Sequence, residues 1–189
     1  MILLPLCLWL GACASAPSGV QYYVLNAKPS TNSGEAGEGR KSLLIESVDL
    51  ADFLKQSGMV MQTGEHKMHL SKSHLWAERL NVSVPKALQG KLQSQSNDYV
   101  VFLKTIDWST DADYRLRIRI DNLQANHRGE VMTSGRYQLL SLADSSQNLV
   151  KDFHFLRDLE QDGYSHAVGE MESLIALIAQ DILLSLQSK

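Results

Sequence analysis

The clearest period along the chain is a two-residue one. Between residues 114 and 122, Leu116, Ile118 and Ile120 alternate with Arg115, Arg117 and Arg119, which predicts a strand with one face in a core and the other in water. Residues 99–106 (YVVFLKTI) read as a strand before it. Residues 130–142 and 149–156 read as strands after it, set off by the turn-forming runs 126–129 (NHRG) and 144–146 (DSS). Consecutive strands joined by short turns predict an antiparallel meander. Upstream, residues 21–25 (QYYVL) form a first strand, and residues 42–50 (SLLIESVDL) are apolar on both faces, as a central strand should be. After a short turn at 52–54, residues 59–62 and 66–71 predict a hairpin around Gly64 and Glu65. The period lengthens to that of a helix in two places. Ser83 and Pro85 predict the start of a helix of about three turns carrying Val84, Ala87, Leu88 and Leu92. Residues 164–186 place Val168, Met171, Leu174, Ile175, Ile178, Ile182 and Leu186 three and four apart, a long amphipathic helix. Leu177 and Leu184 fall off that stripe, so the apolar face is broader than docking on one sheet needs, and they are the candidate interface residues of a homo-oligomer, the alternative being burial beneath the first helix of the same subunit. The expected fold is α+β, a largely antiparallel sheet including the three-stranded meander, with two main helices packed on one side.

The first thirteen residues, MILLPLCLWLGAC, follow a different logic. Their apolar run is too short to span a bilayer and closes on small residues, as a cleaved secretory signal does. Leu10, Gly11, Ala12 and Cys13 resemble a bacterial lipobox, which implies cleavage before Cys13 and lipidation of that residue. No Lys or Arg precedes Cys13, a departure from the usual basic start of such signals. Residues 1–12 are therefore expected to be a signal peptide and residues 13–20 a lipidated cysteine with a tether, ASAPSG reaching about 20 Å when extended. The domain is expected over 21–189, with a flexible loop at 27–41 (AKPSTNSGEAGEGRK) too rich in Gly, Ser and charge to pack.

Composition narrows the function. Net charge is -3, with no long basic run, which argues against nucleic acid and against a polybasic membrane patch. Both cysteines, Cys7 and Cys13, precede the domain, so it holds no internal disulfide and no thiol nucleophile. His66, His69 and His74 offer a metal-like spacing, but residues three and five apart on a strand point to opposite faces. The run 158–163 (DLEQDG) imitates the front of an EF-hand loop, yet Gly169 stands at its twelfth position and Glu170 one late. Asp107, Asp111 and Asp113 fit a polar turn more simply than an acid–base site, and Trp76 and Trp108 fit a core or an interface. No metal, cofactor or catalytic set is expected.

Six short runs in order, 21–25 (QYYVL), 48–54 (VDLADFL), 59–63 (MVMQT), 75–80 (LWAERL), 129–135 (GEVMTSG) and 161–164 (QDGY), resemble the ABC-type transport auxiliary lipoproteins. The resemblance covers nearly the whole mature chain. It implies a non-enzymatic lipoprotein on the periplasmic face of the outer membrane, working with a membrane-bound MCE-domain protein in intermembrane lipid transport. In the lipoproteins that the lipobox resembles, an aspartate in second place retains the protein at the inner membrane; Ala14 stands there here. Arg79 stands where the family commonly carries proline. A periplasmic hydrolase and a purely structural envelope lipoprotein are the alternatives.

Overall fold

A computed structural model of the protein describes residues 19–25, 39–104 and 112–187. Among them run β1 (Gln21–Tyr23), β2 (Lys41–Leu50), β3 (Gly58–Gly64), β4 (Lys67–Trp76), α1 (Leu80–Gln95), β5 (Tyr99–Leu103), β6 (Tyr114–Ala125), β7 (Glu130–Ser141), β8 (Leu149–Asp158) and α2 (Tyr164–Gln187). The class is α+β. β6, β7 and β8 form the antiparallel meander, and β3 and β4 form the antiparallel hairpin. The centre is parallel, with β2 between β5 and β6 and running the same way as both. β1 pairs parallel with β4, Gln21 opposite His74 and Tyr23 opposite Trp76.

β6 shows why the alternation stops where it does. Tyr114, Leu116, Ile118 and Ile120 are buried, and the ladder to β7 then slips between Ile120 and Asn122. That bulge shifts the core-facing parity by one, so Leu123 and Ala125 become the inward residues. β2 takes the parallel-sheet form of a strand apolar on both sides. Leu43 and Ile45 enter the core while Leu44 is buried on the opposite face.

Several boundaries differ from expectation: β4 runs on to Trp76, past the 66–71 expected, β5 ends at Leu103, and two further differences have a clear cause. β2 begins at Lys41, inside the loop expected over 27–41, because Lys41 pairs with Tyr99 and its N–H bonds the Asp98 carbonyl at 2.9 Å. α1 begins at Leu80 rather than at Ser83 and has sixteen residues, with Pro85 inside it. Proline removes a backbone donor and leaves the carbonyl four residues back without its bond. Here that residue is Asn81, which is exposed, a place where water can serve a free carbonyl and the helix can tolerate the ring. Leu80, Val84, Ala87, Leu88 and Leu92 form its buried face.

α1 and α2 pack against one another on the same side of the sheet, over a core that includes Leu116, Tyr137, Leu139, Leu174 and Ile178. α1 also closes the outer edge of β5. The buried Gln93 amide donates to the Tyr99 carbonyl at 3.0 Å and accepts from the Val101 N–H at 3.0 Å, while Gln89 donates to the Val101 carbonyl at 2.9 Å. Side chains thus satisfy a backbone edge that would otherwise offer itself to another strand.

Candidate functional site

The three histidines do not converge. His66 sits in the β3–β4 turn and His69 on β4 opposite Met61, both exposed. His74 lies past an irregular stretch at Ser71, whose hydroxyl accepts from the N–H groups of Ser73 and His74. There the His74 ring stacks on Tyr164 at 3.7 Å between centroids, and its Nδ1 is 2.9 Å from the Tyr23 hydroxyl. That hydroxyl donates to Gln21 Oε1 at 2.6 Å. Its one hydrogen being used, the His74 Nδ1–H is the donor in the other bond. The cluster ties β1, β4 and the start of α2 together. Among the described residues no three His, Cys, Asp or Glu side chains gather as a metal-binding set.

Asp113 is occupied structurally. Its carboxylate accepts from the Ser42 N–H and hydroxyl, both at 2.7 Å, and its own N–H donates to the Ser42 hydroxyl oxygen at 2.9 Å. These bonds hold its carboxyl below the usual aspartate range and pin the start of β2 to the start of β6. Glu46 is likewise held low by the two-pronged guanidinium of Arg117, at 2.9 and 3.1 Å. In the 158–163 run, Asp158 ends β8 opposite Glu130, and Gly163, at φ +118°, is the turn residue before α2. Trp76 is a core residue. Cys13, Asp107, Trp108 and Asp111 fall outside the described residues.

The structure separates the two leucines set aside as an interface. Leu177 is half-buried and packs against the core, whereas Leu184 is 56% exposed. Leu184 borders a groove of about 430 Å³ between the ends of the two helices, lined also by Gln95, Gln180, Leu183 and Gln187.

Sequence reasoning missed a polar cluster inside the core. The Tyr137 hydroxyl is 2.8 Å from the Asp181 carboxylate and 2.8 Å from the Ser185 hydroxyl, and Lys151 reaches the other Asp181 oxygen at 2.7 Å. Burial, with the Asp181 charge adding to it, pushes the phenol well above its ordinary pKa. The signal available was Asp181 and Ser185, polar residues one turn apart beside Ile178, Ile182 and Leu186. With Tyr137 fully buried and Ser185 7% exposed, the group fixes the seating of α2 rather than meeting a ligand.

No helix among the described residues is long and apolar enough to cross a membrane. The family described as the ABC-type transport auxiliary lipoprotein component matches residues 23–183. Two proteins named intermembrane transport lipoprotein PqiC, from Escherichia coli (strain K12) and Shigella flexneri, are each 28% identical over 179 residues, 93% of this chain and 92% of theirs. Among solved structures, an uncharacterized protein at 23% identity superimposes with TM-score 0.75, covering 89% of this chain and 99% of its own. Protein XCC0632 of Xanthomonas campestris, 11% identical, gives TM-score 0.66 over 89% and 98% of the two chains. These two structures share the fold.

Proposed function

The chain belongs to the ABC-type transport auxiliary lipoprotein component family, and from that premise we propose that it is a non-enzymatic, lipid-anchored subunit of an intermembrane lipid transport system. The observation that carries this is the match across residues 23–183, together with relatives named for intermembrane transport that align over 93% of the chain. Cys13 carries the lipid, and Ala14 in second place directs the protein to the periplasmic face of the outer membrane. There it docks with a membrane-bound MCE-domain partner, and copies of the chain close into a ring by repeating one interface that includes Leu184.

A hydrolase would need a nucleophile and a base open to solvent. Tyr137 and Ser185 are buried, Asp181 is held by Tyr137 and Lys151, and Asp113 and His74 are spent on internal bonds. Acyl chains contribute about 0.8 kcal/mol per buried methylene, so two or three of them hold a protein to a membrane without other help. Cys13→Ser is therefore expected to move the protein from the membrane to the soluble fraction. The lipidated chain is expected to co-purify in mild detergent with an MCE-domain protein identified by mass spectrometry. A serine variant still sedimenting with outer membranes would refute the anchor, and absence of that partner would refute the transport role.

A further inference from the structure

The exposed apolar side chains are not spread evenly. Val20, Tyr22, Val24, Met68 and Leu70 all belong to the outlying β1–β4–β3 part of the sheet, and Tyr22 and Val20 are the most exposed of them at 66% and 52%. They share the face turned away from the helices. Tyr23 and Leu25 point to the core, so Tyr22 and Val24 point away from it. Tyr22 is opposite Leu75, and Leu75 is opposite Gly58. On β3, Val60 and Gln62 share the face of Gly58 and are paired with Leu70 and Met68. Leu70 lies over Gly58, its Cγ and Cδ1 occupying the space a side chain there would need. The patch is continuous from the first strand to the hairpin.

Two further observations say what covers it. The described chain begins at Gly19, two residues before β1, and only five residues separate Gly19 from Cys13, a span of at most about 20 Å. In a chain of net charge -3, the segment from Gly58 to Trp76 holds Lys67, Lys72 and three histidines against a single acid, Glu65. An apolar patch carrying a tyrosine, on a hairpin whose exposed charges are mostly basic, at the end of a short lipid tether, fits the interface of a bilayer with anionic headgroups. The geometry points to the outer face of the β1–β4–β3 sub-sheet as a membrane-resting surface that orients the domain, with Tyr22 and Met68 at the headgroup boundary. This rests on the lipid anchor at Cys13. The acyl chains supply the affinity, and the patch sets which way the domain faces.

The test uses the lipidated full-length protein in vesicles of phosphatidylethanolamine and phosphatidylglycerol. A single cysteine carrying an environment-sensitive fluorophore replaces Tyr22, Met68 or, as controls away from the patch, Val82 and Val150, all four sites being exposed. Labels at 22 and 68 are expected to be quenched at least threefold more by a lipid-borne nitroxide than the controls, and correspondingly less by aqueous iodide. Removing phosphatidylglycerol should reduce that contrast. Labels at 22 and 68 as open to iodide as the controls would overturn the inference. So would labels shielded from iodide yet untouched by the nitroxide, since a protein, a second copy included, would then be the cover. Flotation of each labelled protein keeps the premise separate: protein that does not float removes anchor and inference together, while floating protein with water-facing labels removes the inference alone.

Discussion

The Tyr137 hydroxyl stands 2.8 Å from the Asp181 carboxylate, joining the middle of β7 to the last turns of α2. A buried hydrogen bond to a charged group contributes about 1.5–3 kcal/mol, and deleting the donor leaves its acceptors short. Tyr137→Phe keeps the ring and removes the bond. Urea unfolding should show a loss of about 1–3 kcal/mol with no change in far-UV circular dichroism. A variant as stable as the parent would mean that water replaces the hydroxyl.

Gly135 sits opposite Ile120, beside the bulge of β6. A Cβ there would collide with the Arg119 carbonyl and come within 2.9 Å of the Phe153 ring. The carbonyl is backbone and cannot swing aside, so Gly135→Ala should cost at least about 1–3 kcal/mol. A thermal melt checks it: at roughly 2–4 °C per kcal/mol for a domain of this size, the midpoint should fall by several degrees. The same substitution at Gly19, which has nothing within 4 Å, should leave the midpoint in place.

The alternation in β6 and the spacing in α2 were legible because both are local, with neighbours two or four residues apart reporting a shared face. The parallel pairings were not. β1 meets β4 across some fifty residues, and no local period records which strands lie side by side or in which direction. The bulge after Ile120 was hidden for a related reason, since its effect is to change the period that would have to be read. The start of α1 differs because Pro85 resembles a first-turn proline; beside an exposed Asn81 it sits one turn deeper. Leu177 and Leu184 were equivalent on the helix period, and only the neighbouring elements distinguish them.

Arg79 illustrates the same limit from another side. It caps α1 at φ -57°, a value the proline ring itself imposes. Arg79→Pro should therefore raise stability by about 0.4–1 kcal/mol, by narrowing the unfolded ensemble. Chemical denaturation measures it, and a destabilised variant would show that the Arg79 N–H or the residue before it resists the ring.

Asp113 predicts an acid limb. Its folded pKa is held below the ordinary 3.8, so the unfolded chain takes up the proton first as pH falls. Its contribution is complete above about pH 5 and is lost as pH drops through the lower, folded value. Asp113→Asn should be less stable than the parent at pH 7 and lose less on going to pH 3. Urea midpoints at the two pH values test this; equal losses would assign the limb to the other carboxyls held low, Glu46, Asp52, Asp144 and Asp152.

The two leucines now make separable predictions. Leu184→Glu should disperse an oligomer in light scattering while the subunit melts cooperatively at its usual temperature. Leu177→Glu puts a charge against the core and should destabilise the subunit by several kcal/mol whatever its assembly state. An oligomer that survives Leu184→Glu would place the ring contact elsewhere.

The parallel pairing of β1 with β4 also fixes an order of events. The meander closes over short turns, but β1 gains its partner only after the chain has been made through Trp76. Closing so long a loop for three paired residues yields little return early in folding, so β1 docks last and its amides should exchange with solvent first. The first strand of the described fold to be synthesised is thus expected to be the last secured. With the proposed anchor at Cys13, a newly exported chain would be held at the membrane while the rest of the domain is already folded, and would take its final orientation only when Tyr23 closes onto His74.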